Sequence, residues 1–428
     1  MTLWLGDGDM DKFVIQKSSL KGEIKISGSK NASLPIMAAT LLTDEECRIS
    51  GVPNLADIRT MIKILEVLGK NIEFDNNVLI IRQKDKKSYV TPYRLVRTMR
   101  ASFCVLGPLL ARRKKAKVSL PGGCVIGVRP VDLHIKGLRE LGAKIAIQKG
   151  YCIGEAKSLR GKHIFLGGPF GSSVLATANV LMAAVLARGD TNIEYAACEP
   201  EIVNLALFLK KMGARIKGEG TPLITVEGVD SLGGADFKVI ADRIEAGTFI
   251  AMALATGSNL TISGANPFHL TSVIETARKM GADIICKNSR INVKPKRVLS
   301  PVNITTLPYP GFPTDLQAQF MACLCLADGI SMVTEKIYPD RFMHVAELNR
   351  MGAHIQRSGP YAIIEGKKKL FGAEVMASDL RASAALVAAG LVAEGKTQIL
   401  RIYHIDRGYE KLEDKLKGLG AKIKREKQ

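Results

Sequence analysis

Apolar and polar positions along the chain follow one pattern that returns six times. The copies read "LEVLGKNIEF", "LRELGAKIAI", "LKKMGARIKG", "ARKMGADIIC", "LNRMGAHIQR" and "LKGLGAKIKR". Their glycines are Gly69, Gly142, Gly213, Gly281, Gly352 and Gly420, spaced about 70 residues apart. Each copy predicts an amphipathic helix closing at Leu or Met, a glycine in the left-handed cap position, and a strand that begins with alternating apolar residues. Upstream of most copies stands a second pattern: an Ala/Leu-rich helix, a glycine or acidic turn, then a short strand. Examples are "AATLLTDEECRISGVP", "AVLARGDTNIEYAACEP", "MALATGSNLTISGANP" and "LVAEGKTQILRIYHIDRG".

Units of this size, alternating strands and helices, exceed a solenoid repeat. Six of them in 428 residues predict an α/β chain of two domains, each of three units with pseudo-threefold symmetry. The length is also too great for one ordinary core. Several helices are so rich in Ala, Leu and Met that burial on all sides is expected. The richest stretch, "SSVLATANVLMAAVLA" from Ser172, is interrupted by Ser, Thr and Asn. That predicts a buried helix and not a membrane span.

Composition narrows the class. Hydrophobic residues make up 46% and charged residues 24%, as in a soluble globular protein. The opening "MTLWLGDGDMDKF" is acidic and short, without the basic region of a signal peptide, and Met10 is an equally good start. Of 8 cysteines only Cys323 and Cys325 lie close together, and no C-x-x-C pair occurs. Zinc sites and a disulfide framework are therefore not expected, and reduced thiols in a cytoplasm are. The net charge of +20 suits either nucleic acid or the steering of a polyanionic small molecule. Lys and Arg are spread along the chain and aromatics are only 5%, which favours the small molecule over a nucleic acid.

Candidate chemistry sits at the turns. "TMRAS" (Arg100), "ADRIEAG" (Arg243) and "DLRAS" (Arg381) each lead into an apolar helix. A cation there opposes the helix dipole, so these arginines suit anion binding, or ion pairs with neighbours such as Asp242 and Asp379. "ISGSKNASLP" gathers Gly, Ser, Lys30 and Asn31 before a helix expected to begin around Ser33, a place for a phosphate or carboxylate. It lacks Walker spacing, and Gly-Ser-Lys-Asn is also ordinary turn chemistry. "SLPGGCVIGVRPVDLH" puts Cys124 among glycines with Arg129 close behind, an arrangement that lowers a thiol pKa. Cys104, Cys286, Cys323 and Cys325 lie in apolar runs and read as inert. In "PYPGFPTDLQAQF", Asp315 falls near a helix N-terminus and, taken alone, reads as a cap. In "RIYHIDRGYE", Arg407 stands beside a glycine at the start of a helix, and His404 is a base or a structural residue.

Together "SGSKN", "TMRAS", "LPGGCVIGVRPVDLH", "ADRIEAGTF", "FPTDLQAQF", "PDRFMHV", "DLRAS" and "RIYHIDRGYE" resemble the motif set of the UDP-N-acetylglucosamine 1-carboxyvinyltransferases. The resemblance runs in order from Met10 to the C-terminus. It implies a two-domain inside-out α/β barrel, with residues 1–30 and 239–428 in one domain and 31–238, carrying the Cys124 loop, in the other. It also implies transfer of enolpyruvate from phosphoenolpyruvate to the 3-hydroxyl of UDP-N-acetylglucosamine, the step that commits the sugar to peptidoglycan. No cofactor or metal is implied, nor a membrane or nucleic acid, and the expected state is a monomer or weak homo-oligomer.

Residue by residue, the resemblance gives phosphoenolpyruvate to Lys30 and Asn31, with Arg129 and Arg407 on its phosphate and carboxylate. Arg100 lies at the anionic end of the substrates. Arg129, Pro130, Val131, Asp132, Leu133, His134 and Ser173 line the UDP-sugar, with Ile337, and Asp379 and Arg381 join the substrate-binding set. Asp315 accepts the 3-hydroxyl proton, and Cys124 protonates the methylene carbon; its thiol can also add covalently to phosphoenolpyruvate or to fosfomycin. One departure is Leu175, where the family more usually has glycine. The alternative within the fold is 5-enolpyruvylshikimate-3-phosphate synthase, against which stand the cysteine loop and "RPVDLH".

Overall fold

The computed structural model describes residues 11–85, 88–97, 99–121 and 131–428. Cys124, Arg129 and Pro130 lie outside the described residues. By internal packing the chain forms two units, one of residues 11–27 and 241–428, the other of residues 28–121 and 131–240. Lys30 packs with the second of these, not with the N-terminal strands that precede it.

Among the described residues each unit holds three four-stranded sheets built to one plan, a parallel pair joined to an antiparallel pair, which is a hairpin in all but one sheet. In the unit of residues 28–240, Ala235–Lys238 runs parallel to Cys47–Ser50. That strand pairs antiparallel with Val78–Gln83, whose hairpin partner is Lys70–Asp75. The last strand of the unit thus completes its first sheet. In the other unit, Asp11–Gln16 inserts between Lys396–Leu400 and Lys422–Lys427, antiparallel to both. Gly22–Lys25 then pairs parallel with Leu260–Ser263. The N-terminal segment fills gaps in a unit otherwise made by the C-terminal half. Buried and exposed residues alternate along the hairpin strands, so each sheet buries one face.

The centre of each unit is helical. Arg243–Thr256, Gln317–Leu324 and Leu380–Gly390 pack on one another in one unit, and Lys30–Ala39, Leu106–Arg113 and Val174–Ala184 are their counterparts in the other. These helices are buried on nearly all sides, the sheets lie outside them, and amphipathic helices such as Ala56–Val67 and Thr271–Lys279 fill the periphery. Small residues permit the close central packing. A Cβ at Gly107 would collide with the Asn179 carbonyl, and one at Gly247 with the Leu316 side chain. All six repeat glycines have positive φ, from 86° to 105°, as the left-handed cap demands.

Two local expectations change. The helix after "ISGSKN" begins at Lys30 and not near Ser33, because Ser29 caps it, accepting a hydrogen bond from the Ala32 N–H at 3.3 Å. Cys286 is exposed although it shares a face with the buried Ala282 and Ile284, because it lies at the end of its strand, Ala282–Lys287, where residues 285–287 are all exposed. Cys104 and Cys325 are buried as expected, and burial pushes both thiols up to about 12.

Candidate active site

In the unit of residues 28–240, the starts of the central helices carry the polar groups. Lys30, in the first turn of its helix, donates from Nζ to Oδ2 of Asp57 at 3.1 Å. The two side chains are only 11% and 6% exposed, so the pair is desolvated and directional. Asn31 follows on the same turn and is half-buried. Arg100 is half-buried at the start of the 3₁₀ segment Arg100–Val105.

Below Arg100 lies a buried polar knot. The Asn179 carboxamide oxygen accepts from the Gly107 N–H at 2.8 Å, and its Nδ2 donates to the Phe103 carbonyl at 2.9 Å and to His134 Nδ1 at 2.8 Å. Burial, and secondarily the Arg100 charge, pushes His134 down to about 3, so the ring is neutral and Nδ1 is the acceptor. The ring also meets Phe103 edge-on at 5.1 Å. His134 therefore fixes the helix Asp132–Glu140 to the core; its ring faces inward. Asp132 is exposed and Val131 and Leu133 are half-buried at the start of that helix. Ser173 caps Val174–Ala184, its hydroxyl accepting from the Ala176 N–H at 3.4 Å, and Leu175 is half-buried in the first turn.

The other unit centres on Asp315. The carboxylate does not cap a helix, because the turn Thr314–Leu316 and the helix after it have no side-chain cap. Instead Oδ1 accepts from Arg341 Nη1 at 2.8 Å and Oδ2 from Arg381 Nε at 3.3 Å. Arg341 and Arg381 are nearly fully buried, whereas the Asp315 side chain is 28% exposed. The carboxylate is thus held by two buried cations while part of it still meets solvent. Asp315 and Asp379 raise the Arg341 pKa against burial, and Tyr409 and Asp315 do the same for Arg381. Arg381 also lies over the Tyr409 ring, 5.3 Å from its centre.

Asp379 caps Leu380–Gly390, its Oδ1 accepting from the N–H groups of Arg381 at 2.7 Å and Ala382 at 3.0 Å. Arg381 thus turns to Asp315 and not to Asp379. Asp242 caps its own helix in the same way, and Arg243 lies against the Tyr309 ring. Ile337 is half-buried and is held by its N–H, which donates to Glu335 Oε1 at 2.9 Å. Arg407 ends the 3₁₀ turn Ile402–Arg407, where burial and the Arg407 charge push His404 down to about 4. His404 is thus a poor base at neutral pH.

Several functional neighbours escaped sequence reasoning. Asp57 carries no signal in "NLADIRTM", since an acidic residue in a first helical turn is ordinary. Arg341 lies within the recognised "PDRFMHV", but nothing local couples it to Asp315. Asn179 was visible as a polar break in an apolar helix, and that break is the knot described above.

Three four-stranded sheets around three buried helices, made twice, with cations at the helix starts, define the enolpyruvyl transferase fold. Residues 14–416 match the family described as EPSP synthase (3-phosphoshikimate 1-carboxyvinyltransferase). The UDP-N-acetylglucosamine 1-carboxyvinyltransferase of Methylacidiphilum infernorum is 54% identical over 417 residues, covering 97% of this chain and 99% of that protein. UDP-N-acetylglucosamine 1-carboxyvinyltransferase 2 of Carboxydothermus hydrogenoformans is 52% identical over 419 residues, with the same coverage. Among solved structures, the enolpyruvyl transferase NikO from Streptomyces tendae superposes with a TM-score of 0.88 at 21% identity, covering 98% of this chain and 100% of that one. EPSP synthase from Acinetobacter baumannii gives 0.76 at 22%, covering 97% and 100%. The chain belongs to the EPSP synthase family, within its branch of UDP-N-acetylglucosamine 1-carboxyvinyltransferases.

Proposed function

We propose that this protein transfers the enolpyruvyl group of phosphoenolpyruvate to the 3-hydroxyl of UDP-N-acetylglucosamine, releasing phosphate, and so commits the sugar to peptidoglycan. The observation that carries the reading is identity above 50% along 97% of the chain to relatives named for that activity. The reaction adds a proton to one carbon of the enol and the sugar oxygen to the next, then eliminates phosphate together with a proton from the new methyl group. Addition therefore needs an acid and a base at the same substrate pair.

Asp315 serves as the base, since its carboxylate is held in place by two buried guanidinium groups yet reaches solvent. Cys124 serves as the acid and as the nucleophile for covalent capture of phosphoenolpyruvate or fosfomycin. Lys30, aimed by Asp57, binds the phosphoenolpyruvate phosphate as a point charge, with Asn31, Arg129 and Arg407 completing the anion clamp. Arg100, Val131, Asp132, Leu133, Ser173 and Ile337 contact the UDP-sugar, with Pro130 beside Arg129. His134 supports that surface from below, and Asp379 and Arg381 support Asp315. No helix among the described residues is long and apolar enough to cross a membrane. The reading places the protein in the cytoplasm, as a monomer or weak homo-oligomer.

The family description leaves 5-enolpyruvylshikimate-3-phosphate synthesis as a second reading. Phosphate release from phosphoenolpyruvate decides between them. Release that depends on UDP-N-acetylglucosamine is expected; release that depends on shikimate 3-phosphate instead would overturn the assignment.

A further inference from the structure

Glu335 is fully buried and takes no part in the chemistry proposed above. Its Oε1 accepts from the Thr306 hydroxyl at 2.7 Å and from the N–H groups of Ile337 at 2.9 Å and Tyr338 at 3.0 Å. Its Oε2 accepts from the Thr314 hydroxyl at 2.9 Å. A carboxylate in this position is acceptor-only, so every group around it must point a hydrogen inward. For Thr314 this has a consequence. A hydroxyl has one hydrogen, and once that hydrogen goes to Glu335 only lone pairs remain for other neighbours. Arg341 Nη1 lies 3.1 Å from that oxygen and donates to it, while donating also to Asp315 Oδ1 at 2.8 Å.

We propose that Glu335 is a positioning residue for Asp315. By fixing the polarity of the Thr314 hydroxyl, it seats Arg341 against the carboxylate, and through the Ile337 and Tyr338 N–H groups it holds the neighbouring segment in register. The inference rests on the reading of Asp315 as the base. Glutamine at position 335 cannot replace the carboxylate. With its carbonyl toward the N–H groups, its amide donates to Thr314, turns the hydroxyl hydrogen toward Arg341, and pushes that guanidinium off Asp315. The titratable and charged groups around Asp315 are Arg341 and Arg381 in direct contact, with Asp379, Glu335 and His344 acting on Arg341, and Tyr409 and Asp242 on Arg381. Losing the Arg341 donor removes stabilisation of the anion, so Asp315 holds its proton to higher pH.

The test is the pH dependence of kcat for Glu335→Gln, Thr314→Val and Thr314→Ser with both substrates saturating. Glu335→Gln and Thr314→Val are expected to lower kcat at neutral pH about tenfold and to move the acid limb up by about one pH unit. The KM for phosphoenolpyruvate should change little. Thr314→Ser keeps the hydroxyl and should keep the native profile. Should Glu335→Gln fail to fold, the valine–serine pair at position 314 decides alone. An acid limb at its native position in folded Thr314→Val overturns the proposal. Asp315→Asn, assayed alongside, separates the two ideas: an active Asn variant removes the base itself, whereas an inactive one beside an unshifted valine variant removes only the role of Glu335.

Discussion

Nε of Arg381 lies 3.3 Å from Oδ2 of Asp315 across 66 residues of sequence, and the guanidinium is 3% exposed where the carboxylate is 28% exposed. The buried cation thus holds a carboxylate that still meets solvent, which is what a base in a binding surface requires. Asp315→Asn keeps one carbonyl acceptor for the arginines, turns a donor amide to the other, and removes the proton acceptor. It should lower kcat by about 10²-fold or more while substrate binding persists. A variant whose defect lies only in KM would show that Asp315 binds and does not accept a proton.

Asp57 should matter to both stability and substrate affinity. Asp57→Ala leaves the Lys30 ammonium buried without this partner, and breaking such a pair costs about 3 kcal/mol. Urea unfolding should show that loss, and the KM for phosphoenolpyruvate should rise as Lys30 loses its aim. Native stability in Asp57→Ala would mean that the pair contributes little to the fold.

Acid should weaken the fold through its buried histidines. Burial pushes His134 down to about 3 and His344 to about 4, below the ordinary 6.5. The unfolded chain therefore binds these protons first. Stability is complete above pH 6.5 and is lost as pH falls toward the folded values, by about 2 kcal/mol per group at pH 5. His134→Gln keeps an acceptor for Asn179 and should narrow the gap between urea midpoints at pH 7 and pH 5. An unchanged gap would show that His134 is not the buried neutral group described.

Cys124 lies outside the described residues, and its prediction follows from chemistry alone. If the thiol delivers a proton to carbon, Cys124→Asp should retain substantial activity, because a carboxyl group can also donate one. Cys124→Ser should be much worse, since a hydroxyl is a far weaker acid. Fosfomycin should inactivate the native enzyme and spare the Asp variant, which has no thiolate to alkylate. An active Ser variant would end the acid role.

Periodicity in the sequence determined the architecture. Six helix–glycine–strand copies are local patterns, and each glycine needs its left-handed conformation whatever surrounds it. Lys30, Asn31, Asp315 and Arg407 were legible as candidates because their motifs are contiguous. What each side chain touches was decided only by tertiary structure. Asp315 reads as a cap in its own segment, yet Arg341 and Arg381 reach it from elsewhere in the chain, and the turn provides no cap. Asp57 lies 27 residues from Lys30, and Asn179 lies 45 from His134, so no spacing rule pairs them. The same holds for the strand Asp11–Gln16, whose partners lie in the C-terminal repeat. Local pattern specifies backbone conformation, because that depends on near neighbours. The pairing of buried polar groups depends on which segments the core brings together, and the chain states that only once folded.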